Sequence, residues 1–235
     1  MSIRAQVAEL GFAIVDEGVG AGETDAVIRD TKPFEPCLLA AGRGGIRNVL
    51  HLSPRLRRLV NHPSVRDVVA AGLGPSAFAV RGVLFDKHSG ANWKVPWHQD
   101  LTICVRRRLP TLGYGPWSEK AGIPHVQPPR QVLEEMLTVR IHLDECGSSN
   151  GPVRVIPGSH RSGRLSDAAI AAVTRSGETV TCTVRRGGLL VMRPLLVHAS
   201  SAATAPDRRR VLHLDFASST LADGLEWSEQ WHCAA

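Results

Sequence analysis

The feature that most restricts how this chain folds is its punctuation from residue 76 onward. Eight short β-type runs, at 78–85, 95–105, 136–144, 153–156, 180–184, 188–192, 195–199 and 211–216, are separated by Gly, Pro, Asn and Ser. Runs broken this often build antiparallel sandwiches or barrels, whereas a doubly wound sheet needs a helical pattern of roughly 10–15 residues between strands. Two of the runs alternate visibly. Val139, Ile141 and Leu143 alternate with Thr138, Arg140 and His142, and Leu212, Leu214 and Phe216 with Val211, His213 and Asp215. Successive strand side chains point to opposite sides, so each run has one packed face and one wet or functional face.

The first 75 residues read differently. A short strand at 12–15 precedes an acidic stretch, 23–30, with helical character. Ser53 and Pro54 supply an N-cap and a first-turn proline for a helix over 54–60, and 63–71 makes another that stops before Gly72. The sequence therefore predicts one domain over 1–235: a mostly helical region at 1–75 covering one face of a β core at 76–217, then a tail at 218–235. Trp227 and Trp231 stand four apart in that tail, the spacing of one helical turn folded over the barrel. The Pro- and Gly-rich segment 106–129 is longer than the roughly 12–15 residues of an ordinary loop and is a candidate lid or pocket wall.

Composition narrows the function classes. With 43% hydrophobic and 21% charged residues the chain is neither disordered nor membrane-embedded in character. The N-terminal stretch lacks a signal pattern and no run approaches the ~20 apolar residues of a membrane span, so a cytoplasmic protein without a membrane partner is expected. Five scattered cysteines without a Cys-x-x-Cys pair argue against a disulfide framework and a structural zinc site. The net charge of +6 gathers at 106–108, 185–186 and 208–210, which raises nucleic acid as a partner. Against it stand the lack of a helix-turn-helix or finger pattern and the single Tyr and five Phe available for base stacking. A small-molecule ligand on a monomer or homodimer is the expectation.

Ten histidines and 22 acidic residues lead one to expect about one His-x-Asp or His-x-Glu by chance, yet His98/Asp100, His142/Asp144 and His213/Asp215 all occur. The spacing matters because i and i+2 on a strand share a side, so an imidazole and a carboxylate meet one metal. A second His from a distant strand completes a two-His, one-carboxylate triad, which holds Fe(II) and leaves three positions for a cosubstrate and O2. His98 and Asp100 follow Pro96 and Trp97 in a loop-rich stretch suited to function. Asp144 leads directly into Gly147 and is read as capping that turn, and His213 and Asp215 are read as structural polar residues. The triad expected is thus His98, Asp100 and His198. Alternation brings Arg209, Arg140 and His142 to the same polar cavity, while Arg208 and Arg210 share the face of Leu212. Arg209, with its fixed fork of donors, is then the candidate for the far carboxylate of 2-oxoglutarate. Trp93, Lys94 and Trp97 precede the metal strand closely enough to line the entrance.

With these residues in place the chain resembles the phytanoyl-CoA dioxygenase family of Fe(II)- and 2-oxoglutarate-dependent oxygenases over roughly residues 11–216. WHQD at 97–100, NGPVRVIPGSH at 150–160, HAS at 198–200 and RRVLHLDF at 209–216 carry the resemblance. It implies a mainly β fold with flanking helices, a double-stranded β-helix of the jelly-roll, cupin-like kind. It implies His98 and Asp100 as proximal ligands, His198 as the distal one, Arg209 on the cosubstrate, and His160 in a conformational turn outside the metal set. The activity implied is hydroxylation of an unactivated C–H bond in a small, anionic metabolite, with 2-oxoglutarate and O2 consumed and succinate and CO2 released. Asp100 points away from the halogenating relatives, which lack this carboxylate. The alternatives are the same cofactor chemistry turned to desaturation, cyclisation or epimerisation, and a metabolite-binding jelly roll without turnover.

Overall fold

The computed structural model describes residues 1–34, 45–204 and 208–232; Cys37 and Cys233 lie outside the described residues. Its strands are β1 (Phe12–Val15), β2 (Gly45–Arg47), β3 (Phe78–Lys87), β4 (Val95–His98), β5 (Ile103–Cys104), β6 (Trp117–Lys120) and β7 (Ile123–Val126), then β8 (Met136–His142), β9 (Val153–Val155), β10 (Val180–Cys182), β11 (Leu189–Met192), β12 (His198–Ser200), β13 (Arg209–Ala217) and β14 (Trp231–His232). They form a large sheet in the order β1-β11-β8-β13-β3-β14 with β2 also on β3, a second sheet β10-β9-β12-β4, and a small sheet β5-β7-β6. All pairings are antiparallel.

The alternation read from the sequence decides which face of the large sheet is dry. Leu212, Leu214 and Phe216 of β13 and Val139 and Ile141 of β8 pack outward onto Val7, Val27, Leu56 and Val65. Those four belong to the helices Ile3–Glu9, Ala21–Thr31, Pro54–Arg58 and Pro63–Leu73. Phe216 is wholly buried there, and truncating such a ring to Ala costs about 3–5 kcal/mol. The inner face looks toward the second sheet. Phe12, Val155, Leu190 and Leu196 fill one part of the gap, and Phe78, Ile103, Val126 and Trp227 another. A polar cavity bordered by these two apolar plugs is left over.

Local chemistry accounts for the helix ends. The Ser53 hydroxyl accepts hydrogen bonds from the backbone of Arg55 at 3.2 Å and Leu56 at 3.4 Å, as its place before Pro54 predicts. The helix from Pro63, however, runs through Gly72 to Leu73 and is closed by Gly74 at φ +93°. Gly72 serves packing instead of termination, because a Cβ there would lie 2.8 Å from the Leu137 side chain.

Three other expectations are corrected. The run 95–105 is not one strand: Val95–His98 joins the second sheet and Ile103–Cys104 the small one. The segment 106–129 is less irregular than its composition suggests, since β6 and β7 form a hairpin through Ala121 and Gly122 at φ +53° and +73°, a two-residue primed turn. Trp227 and Trp231 are not on a helical turn. Trp227 bridges Val105, and Trp231 pairs with Ala79 beneath the Arg57 guanidinium at 4.5 Å. Cys104, Cys146 and Cys182 are buried, free thiols.

Candidate active site

β4 and β12 lie side by side with His98 directly opposite His198. Across this pair the Nε2 atoms of His98 and His198 each stand 3.6 Å from one oxygen of Asp100. One donor atom from each of the three residues falls within 4.8 Å of the other two. The ring tautomers follow from the neighbours. Nδ1 of His98 faces the carbonyls of Pro96 at 2.9 Å and His198 at 3.1 Å, and Nδ1 of His198 faces that of Leu196 at 2.9 Å. A carbonyl only accepts, so both Nδ1 atoms carry hydrogen and both Nε2 lone pairs turn toward Asp100.

Charge states complete the picture. Burial works to raise the pKa of Asp100, but His198 and His98 outweigh it and hold the carboxyl well below its ordinary value. Burial pushes His198 down to about 4 although Asp100 opposes it, whereas for His98 the adjoining Asp100 outweighs burial and raises the ring. An ionised carboxylate and imidazoles with free Nε2 atoms are the donor set a borderline divalent ion such as Fe(II) takes.

The alternation of β4 does not continue through the site. His198 opposes His98 while Ser200 opposes Val95, so β4 carries one extra residue. That bulge lets both Val95 and His98 line the cavity and turns Trp97 out. Gln99, between the two acid–base partners, donates to the carbonyls of Gly163 at 2.8 Å and Leu195 at 2.6 Å and accepts from Leu165 at 2.8 Å. The turn at 156–160 braces the other strand: the Ser159 hydroxyl donates to the carbonyl of Ile156 at 2.7 Å and accepts from the backbone of Val197 at 2.9 Å. Both braces sit one residue from a triad histidine.

The cavity measures about 210 Å³, and His98, Asp100, His198, Arg209, Arg140 and Trp93 all line it. Three expected members do not. Lys94 is exposed and does not line the cavity, and Trp97 packs near Ile156 and Val197 with the Arg154 guanidinium 5.1 Å from its ring. His142 lies behind the wall, 1% exposed, with neither ring nitrogen hydrogen-bonded. Burial, then Arg140 and Arg209, push its pKa well down and keep it neutral. Arg209 is 5% exposed, and among the described residues it meets only the Cys146 sulfur, at 3.7 Å from Nη1, while its Nε has no partner. Its neighbours are committed elsewhere, Arg208 to Asp86 and Arg210 to Asp144. Asp144 therefore does not cap the following turn; both its oxygens are taken by Arg210.

The family model of phytanoyl-CoA dioxygenase matches residues 11–211. The chain belongs to the phytanoyl-CoA dioxygenase family. An L-proline trans-4-hydroxylase of Streptomyces griseoviridis is 26% identical over 187 residues, covering 68% of this chain and 61% of that protein. The chain thus spans about three fifths of the length of this curated relative. Among solved structures, the non-haem α-ketoglutarate-dependent carbocyclase SnoK from nogalamycin biosynthesis aligns with a TM-score of 0.71 at 18% identity, over 94% of this chain and 85% of its own. The epimerase SnoN from the same biosynthesis gives 0.68 at 18%, over 93% and 82%. EctD from S. alaskensis gives 0.69 at 19%, over 92% and 75%. These likenesses establish the fold as a jelly roll with flanking helices.

Within this family member, several cavity residues were not expected from the sequence: Arg47 on β2, Arg81 on β3, Lys120 on β6 and His213 on β13. The Nδ1 of His213 accepts from the Arg140 guanidinium at 3.1 Å and its Nε2 donates to Asp215 at 3.0 Å, so it ties the cavity wall to the ion pair behind it. The available signal was an arginine, Arg81, in the otherwise apolar start of β3.

Proposed function

We propose that this chain is a non-haem Fe(II)- and 2-oxoglutarate-dependent dioxygenase that hydroxylates an unactivated C–H bond of a small, anionic metabolite, releasing succinate and CO2. One observation carries the reading: His98, Asp100 and His198 offer two nitrogens and one oxygen from a single cluster, with both imidazoles aimed by backbone carbonyls. When bound, Fe(II) offers open positions to 2-oxoglutarate and O2 and supplies the oxidising power for C–H cleavage. The protein does the placing. Asp100 and the two Nε2 atoms hold the ion, and Gln99 and Ser159 hold the backbone that presents them. Arg209 receives the far carboxylate of the cosubstrate as a bidentate partner. His142 and Arg140 stand next to it, the first neutral and unpartnered, the second kept charged although burial and Arg209 lower its pKa to about 10. Trp93 lines the approach.

We read the whole chain as one oxygenase domain, cytoplasmic, monomeric or homodimeric, acting on a metabolite and not on nucleic acid. No helix among the described residues is long and apolar enough to cross a membrane. The likeness to a carbocyclase and an epimerase favours a second reading, in which the same cofactor chemistry ends in ring closure, desaturation or epimerisation. Anaerobic titration with Fe(II) and 2-oxoglutarate tests the first part: the visible charge-transfer band of the chelate is expected in the wild type, absent in His98→Ala and retained in His142→Ala. A band lost only in His142→Ala would overturn the ligand set. Product formed under labelled O2 decides the outcome, because hydroxylation incorporates one labelled atom and the second reading none.

A further inference from the structure

The cavity is lined by more cations than one cosubstrate carboxylate engages. Its cations fall into two groups. Arg209 and Arg140, with Lys87 beside them, surround His142, and the charge of Arg209 helps lower both Lys87 and Arg140. Arg47, Arg81 and Lys120 form the other group, brought together from three elements: β2, β3 and the hairpin of the small sheet. Register sets Arg209 apart, while Arg140 lies in the row of His213, Val83 and Arg47 and shares the His213 ring with Arg81. Arg47 lies opposite Val83, which lies opposite His213, whereas Arg209 is four residues further along β13. At about 3.4 Å per residue and 4.8 Å per strand, the Cα atoms of Arg47 and Arg209 are roughly 17 Å apart.

Within the second group only Arg81 is neutralised, by Asp215 at 2.6 Å. Arg47 and Lys120 have no carboxylate partner among the described residues. Their charges oppose one another: burial and then Arg81 lower Arg47, and burial and then Arg47 and Arg81 lower Lys120. Like charges held together in a partly dry cleft are unfavourable unless an anion visits. The electrostatic influence of Asp100 reaches both Arg81 and Lys120, which puts this group beside the triad.

We infer that Arg47 and Lys120 form an anion subsite that binds a carboxylate of the primary substrate, separately from the cosubstrate carboxylate at Arg209. The inference rests on the oxygenase reading and names the substrate class for it: small monocarboxylates. Arg47 supplies a planar fork matched to two carboxylate oxygens, and Lys120 a point charge on an exposed hairpin. Arg81, held by Asp215, gives the subsite a fixed wall.

The test uses the full chain loaded with Ni(II), which does not turn over, and saturating 2-oxoglutarate. Hexanoate, benzoate and phenylacetate are compared with their primary amides by ligand-observed NMR. At least one acid is expected to bind, with its amide tenfold weaker or more. Arg47→Ala and Lys120→Ala should each weaken the acid about tenfold, Arg47→Lys less than Arg47→Ala, and 2-oxoglutarate affinity should stay within twofold in all three. Lys120 is exposed, so that variant reads the subsite even if changes at Arg47 disturb folding. Amides binding as well as acids, acid binding indifferent to Lys120→Ala, or no acid binding to the 2-oxoglutarate-loaded protein would each overturn the subsite. Failure of the oxygenase reading looks different: 2-oxoglutarate itself would not bind the Ni(II) protein, or Arg209→Ala would leave its affinity unchanged.

Discussion

Two His-x-Asp pairs border the same cavity from opposite sheets, and they differ in what their carboxylates touch. Asp215 on the large sheet receives Arg81 at 2.6 Å, the Thr138 hydroxyl at 2.7 Å and His213 at 3.0 Å. Asp100 beside the second sheet faces two imidazoles at 3.6 Å and no guanidinium within ion-pair distance among the described residues. The first carboxylate is already neutralised and hydrogen-bonded, so it cannot take a cation without giving up a buried partner. The second has negative charge to spare and nitrogen lone pairs beside it. Identical spacing therefore produces a structural ion pair in one place and, in the other, a cluster whose donor atoms could hold a metal, and the difference is made by residues far away in sequence.

Substitutions at the two carboxylates separate these roles most sharply. Asp100→Ala is expected to reduce 2-oxoglutarate-coupled succinate release by more than about 100-fold, because even the outer partners of a ligand are worth 10–100-fold, with little change in thermal midpoint. Asp215→Ala should do the converse. Leaving Arg81 buried without its partner costs about 3–5 kcal/mol in a urea or thermal melt, while one iron per chain is still bound. Should Asp215→Ala lose iron and Asp100→Ala keep it, the two sites have been assigned the wrong way round.

The comparison extends to the arginine triplet at a smaller scale. Arg209→Ala removes charge-assisted hydrogen bonds worth about 1.5–3 kcal/mol and should raise the 2-oxoglutarate requirement roughly 10- to 100-fold. Arg210→Ala, which releases Asp144 on the outer face, should lower stability and leave that requirement alone. Equal effects on the cosubstrate would remove the distinction between the faces of β13. The smallest effect is in the acid limb of a stability curve. Burial works to raise the Asp215 pKa, but Arg81, then His213 and the hydrogen bonds from His213 and Thr138, hold it well below the ordinary carboxylate range. Its folded pKa is depressed, so its contribution is full above about pH 4 and drains away below it. Asp215→Asn should show a shallower fall in that window than the wild type.

The parts of this molecule written in local pattern were legible. Alternation put Arg209 inward with Arg208 and Arg210 outward, as the structure has them, but it also put His142 into the cavity, which the structure does not. What local pattern could not convey is anything made by register. The extra residue in β4 turns Trp97 away from the cavity although it precedes His98 directly. Lys94 looked like part of the entrance for the same reason of nearness in sequence. Arg47, Arg81 and Lys120 read individually as ordinary basic residues, and only the pairing of β2 with β3 and the hairpin of the 106–129 segment converge them. Gly72 looked like a helix stop because the Leu137 side chain pressing on it is 65 positions away in sequence.

Strand β13 places Arg209 and His213 on one line of alternating positions, with Asp215 continuing it behind the wall. A one-residue slip would turn all three toward the helices. A change of register there would disturb the proposed cosubstrate arginine, Arg209, and the Arg81–Asp215 ion pair together. The exposed hairpin carries no such obligation. If Arg47 and Lys120 do form the proposed subsite, a changed substrate preference would be written on that hairpin and on the short strand β2, leaving the His98, Asp100 and His198 cluster untouched.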